Sequence, residues 1–158
     1  MSGVGCDRRS LLGQNVSTSH TQAYGAGRER ARILMASGGR VLLIDDDELF
    51  RRLVHVMLTS AGYDVQVAAN GKVGIACYRQ QRSDVVITDI LMPVGEGLET
   101  IEALKAFDPD VKIIAMSSGG EGEFGYLQTA VAFGARRILH KPFSRDELLL
   151  TLTAVLAG

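Results

Sequence analysis

The chain has 158 residues, 46% apolar and 22% charged, with a net charge of −1 and two cysteines. That is enough for one domain with a sizeable core, and it argues against a disordered polymer or a disulfide-rich scaffold. No apolar run approaches the length of a membrane span.

Residues 1–39 hold five Arg and two acids, for +3, and residues 40–158 carry −4. The predicted globular part therefore offers no basic footprint for nucleic acid. The start lacks the apolar core of a secretory leader, and Cys6 and Cys77 have no metal-ligand spacing, so a reducing, cytoplasmic setting is expected. Residues 1–39 are rich in Gly, Ser, Thr and Arg, and are read as a disordered tail in which "GRERARILM" (27–35) forms at most a short helix.

From Arg40 onward strands and helices alternate. Val41–Ile44 is an unbroken apolar run, which predicts a buried parallel strand. Glu48–Ala61 is a predicted helix with Leu49, Leu53, Val56 and Met57 at helical spacing and Gly62 as its stop. Asp64–Ala68 alternates as a strand does, and Asn70-Gly71 is a turn into a helix reaching about Arg82. Val85–Thr88 is a second apolar strand that ends on Asp89. Leu98–Phe107 is a helix with Ile101 and Leu104 toward the core, and Lys112–Met116 is a third apolar strand. A helix over Tyr126–Phe133 stops at Gly134, a short strand covers Arg136–Leu139, and "PFSRDELLLTLTAVL" closes the chain with Ser144 and Glu147 spaced as a capping box. Five strands and five helices in strict alternation predict a parallel sheet covered on both faces, the doubly wound α/β class.

In such sheets ligands bind beyond the carboxyl ends of the strands. Asp45 and Asp46 end the first strand, Asp89 the third and Ser117 the fourth, and Lys141 follows the fifth. Carboxylates gathered at one rim repel unless a hard divalent cation lies among them, and Mg²⁺ suits oxygen ligands while keeping several waters. Asp89 is then free to act as a nucleophile toward a phosphoryl group, with Lys141 and the Ser117 hydroxyl placed for its oxygens. Asp47 and Glu48 read as the solvated first turn of the following helix.

The pieces "VLLIDDD", "DVVITDILMP", "IIAMSS" and "LHKPF", in this order over residues 40–158, resemble the response-regulator receiver domain of two-component signalling. The resemblance implies a flavodoxin-like (βα)5 fold with strand order 2-1-3-4-5. It makes Asp89 the phosphoacceptor, with Mg²⁺ held by Asp46 directly, by Asp45 through water, by Asp89 and by the backbone carbonyl of Leu91. Ser117 becomes the switch hydroxyl, Lys141 the phosphate-binding lysine, and the peptide bond before Pro142 cis. The implied partners are a sensor histidine kinase or histidine phosphotransfer protein and a downstream protein target. The face of the last two helices and last strand, with Arg136, Arg137 and Arg145, is the expected contact surface and leaves a homodimer open. The chain ends directly after the last helix, which suggests a stand-alone receiver whose only chemistry is its own phosphorylation and dephosphorylation.

Two rivals belong to other classes. "LLIDDDE" also fits a haloacid dehalogenase-like phosphatase with Asp45 as nucleophile and Asp47 as acid, but this leaves Asp89 idle and needs Asp108 and Asp110 at the metal. A pseudo-receiver scaffold would never be phosphorylated, although the full set of acids, Ser and Lys argues against it. One departure from the family concerns signalling: Ile138 stands where receivers carry a Tyr or Phe that swings inward. Reordering of the Gly-rich "SSGGEGEFG" loop is the expected substitute.

Overall fold

Parallel pairing accounts for the unbroken apolar runs. The computed structural model describes residues 38–93, 96–118 and 123–158. In chain order the elements are β1 (Gly38–Ile44), α1 (Glu48–Ser60), β2 (Tyr63–Ala68), α2 (Gly71–Gln80), β3 (Val85–Asp89), α3 (Glu96–Phe107), β4 (Ile113–Ser117), α4 (Glu123–Ala132), β5 (Arg137–His140) and α5 (Arg145–Ala157). The strands form one parallel sheet in the order β2-β1-β3-β4-β5, as expected. Every residue of β3 and β4 is buried, whereas edge strand β2 shows the partial alternation of a half-covered strand.

The alternate residues of each strand feed two cores. Val41, Leu43, Ile87, Ile114 and Met116 pack with Val54 and Leu58 of α1 and with Leu148, Leu152 and Val155 of α5. On the opposite face Leu42, Ile44, Val86, Ile113 and Ala115 pack with Cys77 and Tyr78 of α2, Ile101 and Leu104 of α3 and Ala130 of α4. Helix α2 lies close against the sheet at Gly74, where a Cβ would collide with the Ile44 side chain.

Local chemistry sets the helix ends. Asp47 is the N-cap of α1 and accepts hydrogen bonds from the backbone N–H of Leu49 at 2.9 Å and of Phe50 at 3.1 Å. Gly62 follows with φ +93°. Asn70 likewise caps α2, accepting from Val73 N–H at 2.9 Å, so the expected turn is a cap followed by the first helical residue. The capping box of α5 is present: Ser144 N–H donates to Glu147 Oε2 at 2.7 Å, and Glu147 N–H donates to Ser144 Oγ at 3.2 Å.

The structure moves two element bounds and settles which side of α1 is the core side. β1 begins at Gly38, where Gly38 pairs with Tyr63, three residues before the strand expected from Val41. α4 begins at Glu123, three residues earlier than read. Leu49, Leu53 and Val56 do not face the core; they are 78%, 50% and 61% exposed. The core side of α1 is Val54 and Leu58, with Phe50 and Met57 packed alongside. The helix carries two apolar stripes, and attachment to β1 through the short loop 45–47 decides which one meets the sheet. The possible helix over 27–35 and residues 119–122 of the Gly-rich loop lie outside the described residues.

Candidate functional site

The order in which strands are added to the parallel sheet reverses between β1 and β3, which lie side by side with β2 on the far side of β1. The crevice at their carboxyl ends is the topological switch point, and there Asp45 and Asp46 meet Asp89. Each of the three offers a carboxylate oxygen, and these oxygens lie within 4.8 Å of one another. Asp45 is fully buried, Asp89 nearly so, and Asp46 faces solvent.

Lys141, just past β5, reaches across β4 to this crevice. Its Nζ donates to Asp45 Oδ2 at 2.8 Å and to Asp89 Oδ2 at 2.5 Å. The second oxygen of each acid accepts a backbone N–H two residues on: Asp47 N–H donates to Asp45 Oδ1 at 2.9 Å and Leu91 N–H to Asp89 Oδ1 at 2.8 Å. These bonds hold both carboxylates still and fold the chain sharply at each strand end. Ser117, at the end of β4, is fully buried, and its carbonyl accepts Lys141 N–H at 2.6 Å. Leu91, whose backbone N–H is the donor to Asp89 Oδ1, turns its side chain partly to solvent. The Lys141–Pro142 peptide bond is cis, as expected.

The electrostatics follow from burial. Loss of water raises the Asp45 carboxyl above its usual value; the Lys141 hydrogen bond and charge and the Asp47 N–H only partly offset this, and the Asp89 charge adds to it. Burial also pushes the Lys141 ammonium down, but its hydrogen bonds to Asp45 and Asp89 and their charges outweigh that and leave it raised. One ammonium thus bridges two of three clustered carboxylates, whose donor atoms are all hard oxygens. This arrangement suits a hard divalent cation.

Asp47 and Glu48 stand apart from this group. Asp47 is a cap, and Glu48 pairs with Arg52 at 2.5 Å on the exposed face of α1. His140 is exposed at the end of β5, and none of the described hydrogen bonds joins it to the acids. Asp108 accepts hydrogen bonds from Tyr78 OH and Arg82 Nη1, both at 2.9 Å, between α3 and β4. That is the amino rim of the sheet, the wrong end for the metal pair that the phosphatase reading requires.

Three site neighbours were not anticipated. Arg51 Nη1 donates to the Asp45 carbonyl at 2.6 Å. Phe50 and Phe143 meet edge to face, with ring centroids 5.5 Å apart, beside Lys141. The sequence signal of the two rings is faint: Phe50 stands four after Asp46, and Phe143 closes the "LHKPF" piece two after Lys141.

Residues 41–153 match the family described as the response regulator receiver domain. The chain is 33% identical over 119 residues to the chemotaxis protein CheY of Thermotoga maritima, covering 75% of this chain and 98% of that protein. The solved structure of Vibrio cholerae CheY4 aligns with a TM-score of 0.69 at 34% identity, over 75% of this chain and 99% of that one. The receiver domain of a sensor histidine kinase from Pseudomonas aeruginosa, solved with a magnesium ion coordinated in its active-site cleft, aligns with a TM-score of 0.70 at 27% identity, over 77% and 100% of the two chains. Motif order, strand order and kinship agree, and the chain belongs to the response-regulator receiver domains of two-component signalling.

Proposed function

We propose that this receiver accepts a phosphoryl group on Asp89 from a phosphohistidine of a sensor histidine kinase or histidine phosphotransfer protein. The observation that carries the reading is the Lys141 bridge, which joins Asp45 and Asp89 at 2.8 and 2.5 Å next to Asp46. A carboxylate oxygen of Asp89 attacks phosphorus, the donor's N–P bond breaks with its electron pair returning to the imidazole, and an acyl phosphate forms. Lys141 follows the charge from the carboxylate to a phosphoryl oxygen, and the Ser117 hydroxyl donates to another. Asp45, Asp46, Asp89 and the Leu91 carbonyl would hold Mg²⁺, which when bound neutralises charge on the transferring phosphoryl oxygens. The relative with magnesium in its cleft supports that choice of ion.

The signal then passes by conformational change to a downstream protein, through the face of α4, β5 and α5 where Arg136, Arg137 and Arg145 are exposed. The same face would serve a homodimer. A cytoplasmic setting fits the reading, and among the described residues no helix is long and apolar enough to cross a membrane.

Incubation with acetyl phosphate and Mg²⁺, followed by peptide mapping, tests the assignment. The label is expected on Asp89 and absent from an Asp89→Asn variant. Label on Asp45 would favour the phosphatase, and a folded, Mg²⁺-binding chain that never labels would be a scaffold.

A further inference from the structure

The two hydrogen bonds of Lys141 do not by themselves explain how a long, flexible side chain stays at the acids. A lysine stem has many rotamers, and its ammonium is strongly hydrated. The remaining side of this ammonium meets an aromatic face: Nζ lies 4.3 Å from the centroid of the Phe50 ring. Such a distance is well inside the range of a cation–π contact, in which the negative face of the ring attracts the charge.

Phe50 is itself held at both ends. Its backbone N–H is fixed by the Asp47 cap at 3.1 Å. Its ring meets Phe143 edge to face, centroids 5.5 Å apart and planes 81° apart. Phe143 follows Lys141 by two residues, so the lysine and the residue steadying its aromatic partner come from the same short segment. The lysine side chain is only 14% exposed, so the contact is partly desolvated, where it is strongest.

We infer that Phe50 is a positioning residue for phosphoryl transfer: its ring face, steadied by Phe143, holds the Lys141 ammonium against Asp89. The inference rests on the phosphoacceptor reading above. The ring excludes water from one side of the ammonium and disfavours rotamers that carry Nζ to solvent. Lys141 is thus in place before the phosphoryl group arrives, and its reorganisation during transfer is small.

The test compares the rate at which acetyl phosphate with Mg²⁺ labels Asp89 in the full chain and in three forms altered at residue 50. Phe50→Leu should slow labelling by roughly fivefold to tenfold, the effect of losing a partly desolvated cation–π contact. Phe50→Tyr, which keeps the ring, should stay within about twofold. Pentafluorophenylalanine at position 50 keeps the ring's shape and reverses its charge distribution. It should slow labelling as much as Leu does, and the Lys141 methylene protons should lose their ring-current shift in Phe50→Leu only. Pentafluorophenylalanine labelling at the parent rate would overturn the inference, and would do so even if Phe50→Leu unfolded. Failure of the parent chain itself to label would instead overturn the phosphoacceptor reading.

Discussion

Three acids and one lysine within a few ångströms set the residue-scale energetics. Asp45 and Asp89 share the Lys141 ammonium, so removing that cation leaves buried carboxylates without their partner. Lys141→Ala should lower stability by about 3 kcal/mol in the absence of divalent ions, with partial recovery in Mg²⁺. Denaturant titration with and without Mg²⁺ checks this; equal midpoints for the two proteins would mean the acids do not depend on the bridge. Crowding of charge alone predicts that Asp89→Asn stabilises the metal-free fold. The bridge tempers that gain, because the substitution also removes one end of it. The expected increase at neutral pH is about 1 kcal/mol, read from thermal unfolding, and a fall in melting temperature would show that the bridge outweighs the repulsion.

At the scale of elements, α1 and α5 show two different rules. α1 has Leu49, Leu53 and Val56 on one stripe and Phe50, Val54, Met57 and Leu58 on another, and only the second meets the sheet. Leu58→Ala should cost about 3 kcal/mol, and Leu53→Lys less than about 0.5 kcal/mol. Unfolding curves of the two variants decide between the stripes. α5 depends on its cap. Ser144→Ala should cost about 1 kcal/mol near neutral pH. Backbone and side-chain hydrogen bonds from Ser144 hold the Glu147 carboxyl below its ordinary value of 4.5. A depressed carboxyl stabilises the fold above its unfolded value and loses that contribution as pH falls through the folded value. The gap in melting temperature between parent and Ser144→Ala should therefore narrow as pH drops below 4.5, and a gap that stays constant would exclude the reciprocal bond.

For the whole molecule, a cation held by these acids would couple strand ends that are distant in sequence to global stability. A cation bound only by the folded state stabilises it by about 2.7 kcal/mol at a hundredfold excess over its dissociation constant. Mg²⁺ should raise the melting temperature of the parent accordingly. Asp46 is exposed and makes no bond to Lys141 among those described, so Asp46→Asn should leave metal-free stability nearly unchanged and remove most of the Mg²⁺ shift. A full shift in that variant would place the ion elsewhere.

The sequence by itself determined the class of fold and the identity of the acids. Unbroken runs such as Val41–Ile44 and Val85–Thr88 suit only strands buried on both faces, and a carboxylate straight after such a run has to lie at the sheet's rim. Spacing likewise displayed the Ser144–Glu147 box, because capping acts within one turn of helix. Tertiary structure alone decided whatever depends on two distant segments meeting. Periodicity could not say which stripe of α1 faces inward, since two apolar stripes satisfy the same helical period and the sheet chooses between them. Nor could it show that Asp108 leaves the site for Tyr78 and Arg82, or that Phe50 faces Lys141 ninety-one residues away. Side-chain direction across a fold is set by packing, and packing has no signature in the local order of residues.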